Sequence, residues 1–149
     1  VDPKGIAIFG HSYGAYLALT TMLRYPESFA AGVLQAGVFD WNAFGIDNTY
    51  LDIRFGSVRG QPKVPDVQVR PAAHLDGLRG ALLVVHGNGD FNAAYSNSEL
   101  LVKALIRAGA DFEFMTYPGE RHDWEHVDTD RDFLLRFGRF LDRSLKRAP

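Results

Sequence analysis

The amino-acid sequence predicts an α/β fold in which a parallel sheet carries helices on both faces. Short apolar runs alternate along the chain with longer segments whose apolar residues recur every three to four positions. This alternation is typical of strands that are each followed by a helix and that join one parallel sheet. With 149 residues, of which 46% are hydrophobic, the chain can bury a core within a single domain.

The first part of the chain predicts a strand, a helix and a second strand. An apolar run at residues 6–9 ends at Gly10 and is typical of a buried strand. Apolar residues then recur with helical spacing until Pro26, at Ala15, Ala18, Leu19, Met22 and Leu23. A second apolar run at residues 31–36 is closed by Gly37 and predicts the second strand.

Residues 38–76 predict an irregular excursion with little regular structure. The excursion holds four aromatic residues among Gly, Asp and Pro, namely Trp41, Phe44, Tyr50 and Phe55. These aromatic side chains either line a substrate pocket or pack the excursion onto the sheet, and the sequence favours neither.

The last part of the chain predicts two further strands and two helices. Apolar runs at residues 81–85 and 112–117 predict the strands. Ser96 and Glu99 have the spacing of a capping box, and Gly109 is placed to end the helix that they open. The last helix carries an apolar stripe formed by Phe133, Leu134, Phe137, Phe140, Leu141 and Leu145.

Composition and charge exclude several classes of function. The formal net charge of −2 gives no strong attraction to nucleic acid or to an anionic membrane. No apolar run approaches the roughly 20 residues that span a bilayer. Without cysteine the chain cannot form disulfides, use a thiolate nucleophile or ligate a metal through sulfur. The compartment stays open, with the cytoplasm slightly favoured.

The start of the chain predicts that residues 1–149 form part of a larger domain. The sequence begins at Val1 without an initiator Met and enters its first strand within a few residues. That strand would be an open sheet edge, which favours pairing with other chains. We therefore expect either a missing N-terminal segment of the same protein or a second copy of the chain to cover it.

The strongest chemical signal is the sequence Gly-His-Ser-Tyr-Gly at residues 10–14. It has the form G-x-S-x-G and lies directly between a predicted strand and a predicted helix. Such a turn lifts the hydroxyl of Ser12 above the strand end and brings the N–H of Tyr13 to the helix N-terminus, where it could stabilise an oxyanion. A plain glycine-rich turn with a capping serine is the simpler alternative. The context favours the nucleophile turn of an α/β-hydrolase, of which this chain would be the C-terminal half.

Two further residues complete a candidate catalytic triad with Ser12. A serine hydroxyl needs a base to take its proton, and the base needs a carboxylate to orient it. In α/β-hydrolases the chain order is Ser, then acid, then His. Asp90 follows the strand at 81–85, and His122 follows the strand at 112–117. Because the carboxyl ends of parallel strands share one edge of the sheet, we expect the three side chains to converge there.

Three segments of the chain resemble the prolyl oligopeptidase family, in particular its dipeptidyl peptidase and acylaminoacyl peptidase branch. They are Gly-His-Ser-Tyr-Gly-Ala-Tyr at 10–16, His-Gly-Asn-Gly-Asp-Phe-Asn at 86–92 and Tyr-Pro-Gly-Glu-Arg-His at 117–122. The family's nucleophile, acid and base fall on Ser12, Asp90 and His122. The family often has Gly where this chain has Ala15, and an acidic residue where it has Phe91.

The resemblance implies a serine peptidase that hydrolyses small peptides through an acyl-enzyme, without a metal or another cofactor. An esterase or lipase of the same fold stays open, because the same triad hydrolyses esters and only the substrate pocket separates the two. A third possibility is a catalytically inert piece that serves as a structural or assembly module.

The remaining histidines have simpler interpretations. Residues 122–126 match the H-x-x-E-H zinc motif, but they lack the helical pattern that would put His122 and His126 on one face. His11 and His86 lie beside glycines at strand ends, and we expect hydrogen bonds to backbone groups rather than a place at the site. His74 is interpreted as a surface loop residue.

Overall fold

Four short strands form one parallel sheet in the computed structural model, which describes residues 5–43, Ile53, Gly56 and 64–146. The strand order is β1-β2-β3-β4, and every neighbouring pair is parallel. The strands are β1 (Ala7–His11), β2 (Ala31–Gln35), β3 (Ala81–Gly87) and β4 (Phe112–Tyr117). The helices are α1 (Tyr13–Arg24), α2 (Asp66–Val69), α3 (Ser96–Ala108) and α4 (Val127–Leu145).

The helices cover both faces of the sheet, as the sequence predicts. A right-handed crossover puts every helix that links successive strands on the same face when the strand order does not reverse. Accordingly α1 and α3 share one apolar cluster, to which Leu19 and Leu101 belong. The last helix, α4, packs on the opposite face, where Phe133 and Phe140 meet the sheet.

The strands β2 and β3 are buried on both sides because their side chains alternate between two cores. Leu34 and Val84 lie in the cluster with α1 and α3, whereas Val33 and Val85 lie in the cluster with α4. A strand covered on both faces needs an apolar residue at every position rather than at every second one. This explains why the sequence shows continuous apolar runs instead of alternation.

The predicted capping box at the start of α3 is wrong. The helix begins at Ser96 itself, its N-cap is Tyr95 in a helical conformation, and no side chain caps it. The residues before Ser96 already form a turn, so that the amides of Asn97 and Ser98 donate to the carbonyls of Ala94 and Tyr95. Those amides need no side-chain acceptor. The predicted end at Gly109 is confirmed, since Gly109 adopts a φ of 63°.

The predicted apolar stripe of α4 holds only in part. Phe133 and Phe140 are buried, but Leu134 is 63% exposed. Leu134 follows Phe133 by one position, which turns it about 100° around the helix and away from the sheet. None of the described helices is both long enough and apolar enough to cross a membrane.

In the part of the excursion that the structure describes, two short 3₁₀ turns, Trp41–Ala43 and Pro71–Ala73, occur besides α2. Trp41 is 3% exposed and packs against Tyr16, which favours the packing interpretation over the pocket-lining one for this residue. The other three aromatic residues of that prediction, Phe44, Tyr50 and Phe55, lie outside the described residues.

Candidate active site

Ser12 lies at a sharp turn between the end of β1 and the start of α1. Its backbone has φ 57° and ψ −121°, a conformation that L side chains rarely adopt. The turn needs glycine at position 10, because a Cβ on Gly10 would lie 2.1 Å from the carbonyl oxygen of Gly14. The amide of Ser12 donates to the carbonyl of Gln35 at 2.8 Å, which holds the turn against the end of β2.

Tyr13 is the first residue of α1, so its amide belongs to the turn whose N–H groups point out of the helix end. The partial positive charge at this end of the helix favours an anion. The ring of Tyr13 lies 5.2 Å from that of Tyr16 and 6.0 Å from that of Trp41, which forms an aromatic wall beside the turn.

Asp90 lies in the loop after β3, and its side chain is fully buried. Its Oδ1 accepts from the amides of Asn92 and Ala93 at 2.8 and 3.0 Å. Its Oδ2 accepts from two imidazoles, those of His122 and His86. Burial alone would raise the pKa of Asp90, but these hydrogen bonds outweigh it and lower the pKa to about 2. The group is therefore a carboxylate at neutral pH.

His122 lies in the loop between β4 and α4 and connects the other two residues. Its Nδ1 lies 2.7 Å from Oδ2 of Asp90, and its Nε2 lies 2.8 Å from Oγ of Ser12. A carboxylate only accepts, so Nδ1 carries the proton, and Nε2 then accepts from the hydroxyl. The side chain is 15% exposed, which leaves the imidazole reachable from solvent. A neutral imidazole in this tautomer can take the proton of a serine hydroxyl.

The structure thus brings Ser12, Asp90 and His122 together, although they come from three different strand ends. It also places Tyr13 directly after the serine, at the helix N-terminus. His11 supports the arrangement, because its ring lies 4.8 Å from that of His122 at a tilt of 40° and its Nε2 donates to the His122 carbonyl at 3.0 Å. The bond to a backbone carbonyl was predicted for His11, but the contact with the His122 ring also places His11 at the site, which the prediction did not favour.

The prediction for His86 is wrong in part. Its Nε2 contacts the backbone carbonyl of Ala93 at 2.9 Å, as predicted, but it also lies 3.0 Å from Oδ2 of Asp90. The imidazole is completely buried and belongs to the site. Its place four residues before Asp90 was the available signal, because His86 lies at the end of β3 and Asp90 in the loop that follows.

Sequence reasoning missed Glu120, which organises the loop that carries His122. Glu120 is 2% exposed and accepts from the amide of Glu125, the hydroxyl of Thr129 and Nδ1 of His126. Burial raises the pKa of Glu120, yet these three donors together hold it below its usual value. The only sequence signal for this role was that Glu120 lies two residues before His122.

The zinc motif at residues 122–126 does not form the helix that zinc binding would need, because α4 begins only at Val127. His122 contacts Ser12 and Asp90, whereas His126 contacts Glu120. Within the described part of the chain, no three His, Cys, Asp or Glu residues are arranged to hold a metal ion. His74 is an exposed loop residue, as predicted, and its Nε2 contacts Asp66 at 2.7 Å.

Comparisons with known proteins agree with this fold. A sequence model of the prolyl oligopeptidase family matches residues 1–148. The chain is 33% identical over 99% of its length to a protein of Aspergillus fumigatus named "Probable dipeptidyl peptidase 4", and 27% identical over 98% of its length to "Inactive dipeptidyl peptidase 10" of Rattus norvegicus. It covers 18% of each.

Among solved structures, the chain resembles dipeptidyl peptidase 4 of Porphyromonas gingivalis. The TM-score is 0.85 at 29% sequence identity, and the match covers 97% of this chain and 20% of that one. The chain therefore spans about a fifth of the length of these relatives. The match to the family over nearly every residue shows that the chain belongs to the prolyl oligopeptidase family.

Proposed function

We propose that this chain carries the catalytic centre of a serine peptidase that acts on small peptides. Ser12 is the nucleophile, His122 the general base and Asp90 the acid that orients it. The observation that supports this most directly is the unbroken series of hydrogen bonds from Oγ of Ser12 through both nitrogens of His122 to Oδ2 of Asp90, at 2.8 and 2.7 Å. These distances are those of a competent nucleophile and base.

In the proposed reaction, Oγ of Ser12 attacks the carbonyl carbon of the scissile peptide bond while its proton moves to Nε2 of His122. The amide of Tyr13 stabilises the negative charge that develops on the carbonyl oxygen. His122 then gives the proton to the leaving amine, and an acyl group stays on Ser12. Water activated by His122 releases the acyl group and regenerates the serine hydroxyl.

The charge of Asp90 fits this sequence of steps. When His122 takes a proton, its imidazolium faces the carboxylate of Asp90. This carboxylate is ionised at neutral pH because its pKa is about 2. The attraction between the two charges is large because the carboxylate is buried and poorly screened by water. The proton therefore stays on the imidazole and does not pass to Asp90.

The names of the relatives support a peptide substrate, since several are dipeptidyl peptidases. An ester substrate would use the same three residues. Comparing turnover of aminoacyl anilides with that of p-nitrophenyl esters distinguishes the two, and the proposal expects the anilides to be preferred. A clear preference for esters would move the assignment to an esterase.

The proposal is tested with a fluorophosphonate probe, which labels activated serines. The test uses the intact protein that contains residues 1–149. We expect labelling at Ser12, and we expect Ser12→Ala to abolish it and to lower peptide turnover by about 10⁶-fold. Ser28→Ala is the matched control, since Ser28 is exposed and lies away from the site. Because one relative is named as inactive, an unlabelled protein would favour an inert module and contradict the proposal.

A further inference from the structure

A second histidine, His86, contacts the same carboxylate oxygen as His122. Nε2 of His86 lies 3.0 Å from Oδ2 of Asp90, and Nδ1 of His122 lies 2.7 Å from the same atom. His86 is the second-last residue of β3 and is completely buried, whereas His122 is partly open to solvent. The proposed reaction assigns no proton transfer to His86, so its position needs another explanation.

The neighbours of His86 fix where its proton lies. Nε2 faces the carboxylate of Asp90 and the carbonyl of Ala93, at 3.0 and 2.9 Å, and both groups only accept. Nε2 therefore carries a proton and donates it. Nδ1 lies 2.7 Å from Oγ of Ser98, which is itself buried on α3. The hydroxyl of Ser98 can donate to Nδ1, so the tautomer with its proton on Nε2 gives both ring nitrogens a partner.

Besides these hydrogen bonds, the ring of His86 packs against an aromatic residue. The ring of Tyr95 meets it edge-on with the centroids 5.6 Å apart, and the Tyr95 hydroxyl bonds to Thr116 on β4 at 2.7 Å. Among the described residues, the titratable groups in contact with the imidazole are Asp90 from the loop after β3 and Tyr95 from the turn before α3. His122 is linked to it only through Asp90.

We propose that His86 is a positioning residue, which acts by aiming Oδ2 of Asp90 at Nδ1 of His122 and by sharing the charge of that oxygen. This inference rests on the proposed function of Ser12, Asp90 and His122. Ser98 supports it by keeping the proton of His86 on the nitrogen that faces Asp90. The functional unit then runs from Ser12 through His122, Asp90 and His86 to Ser98.

The hydrogen bond from His86 to Asp90 should change the pH dependence of the rate in a direction that can be measured. Without the donor of His86, Oδ2 of Asp90 carries more negative charge toward His122 and stabilises the protonated imidazole more strongly. The protonated form cannot act as a base, so the acidic limb of the rate profile moves to higher pH. The carboxylate also loses one of its two side-chain donors and holds the imidazole less firmly. We expect the rate to fall about tenfold or more, as follows from losing a hydrogen bond to a charged group.

The experiment measures the rate of fluorophosphonate labelling of the intact protein against pH, for the wild type and three variants. His86→Phe fills the space but removes the donor, and it is expected to be slow with its acidic limb at higher pH. His86→Gln keeps an N–H that can reach Asp90, and it is expected to restore most of the rate and the position of the limb. Ser98→Ala keeps the imidazole but frees its tautomer, and a several-fold loss is expected.

The outcomes separate this inference from the proposed function. A wild type that is not labelled at Ser12 contradicts the proposed function and removes this inference with it. A labelled wild type with His86→Phe unchanged in rate and pH profile overturns the role of His86 alone. The same holds if His86→Gln is as slow as His86→Phe, or if the rate falls while the acidic limb stays in place, because a merely structural role predicts those results. If His86→Phe does not fold, an unchanged Ser98→Ala overturns the role.

Discussion

At the scale of single residues, the site depends on one carboxylate that accepts more hydrogen bonds than a surface group would. Asp90 takes two backbone amides on Oδ1 and two imidazoles on Oδ2. Each bond favours the ionised form, and together they outweigh the cost of burying the charge. The same four hydrogen bonds that keep Asp90 ionised also fix the orientation of its carboxylate.

The depressed pKa of Asp90 predicts how stability changes in acid. The ionised carboxylate stabilises the folded state at every pH above its ordinary pKa of 3.8, and this stabilisation is lost as the pH falls toward about 2. The free energy involved is about 2 kcal/mol. We expect the thermal midpoint of the wild type to exceed that of Asp90→Asn at pH 6, and the difference to shrink as the pH falls from about 4 to about 2.

Thermal unfolding of both proteins between pH 2 and pH 6 measures this difference. Asp111→Asn, which changes an exposed carboxylate, is the control for general acid denaturation. A difference between the wild type and Asp90→Asn that stays constant over the whole range would contradict the prediction.

At the scale of elements, the loop between β4 and α4 is fixed from within by Glu120. The carboxylate accepts from the amide of Glu125 and the hydroxyl of Thr129, so it joins the loop to the first turn of α4. The backbone of Glu120 also closes on Gly87, where an added Cβ would lie 2.3 Å from the Glu120 carbonyl oxygen. His122 is two residues away and takes its position from this anchored segment.

Removing the carboxylate of Glu120 is therefore expected to weaken the site as well as the fold. Glu120→Ala leaves the Thr129 hydroxyl and the Glu125 amide without their acceptor, which costs about 2–3 kcal/mol of unfolding free energy. It also loosens the loop of His122 and slows fluorophosphonate labelling. Hydrogen exchange over residues 118–129 and the labelling rate measure the two effects.

The matched control is Glu125→Ala. The Glu125 side chain is 58% exposed, and it approaches Arg121 only at 3.7 Å. An exposed ion pair of this kind contributes little, so exchange and labelling should stay close to the wild type. If Glu120→Ala behaved like Glu125→Ala, the anchoring role of Glu120 would be wrong.

The elements also show what the sequence could and could not predict. Strand positions and the stop at Gly109 were predictable because they follow from local apolar runs and backbone conformation. The roles of Glu120 and Ser98 were not, because their partners lie on other elements and a polar residue in a loop or helix is usually exposed. The capping box at Ser96 was predicted wrongly because its spacing from Glu99 fits a cap. In the structure, carbonyls of the preceding turn already accept from the first amides of α3.

At the scale of the whole molecule, the two edges of the described sheet differ in character. The β4 edge carries Glu113, which pairs with Arg143 of α4, and charged residues protect an edge against pairing. The β1 edge has no such charge, and its Phe9 is 49% exposed beside Phe133 and Phe137. The open apolar edge at β1 was predictable from the first apolar run, but the contacts of Phe9 with Phe133 and Phe137 depend on how α4 crosses the face.

The contrast between the edges predicts that residues 1–149, prepared alone, associate through β1. An unpaired strand with an exposed aromatic ring offers both backbone hydrogen bonds and apolar surface to a second copy. Light scattering coupled to size-exclusion chromatography measures the mass, and Phe9→Lys is expected to lower it by placing a charge on the edge. Phe91→Lys is the control, since Phe91 is 88% exposed but lies in the loop after β3. A monomeric wild type, or an equal effect of both substitutions, would mean that the β1 edge does not drive association.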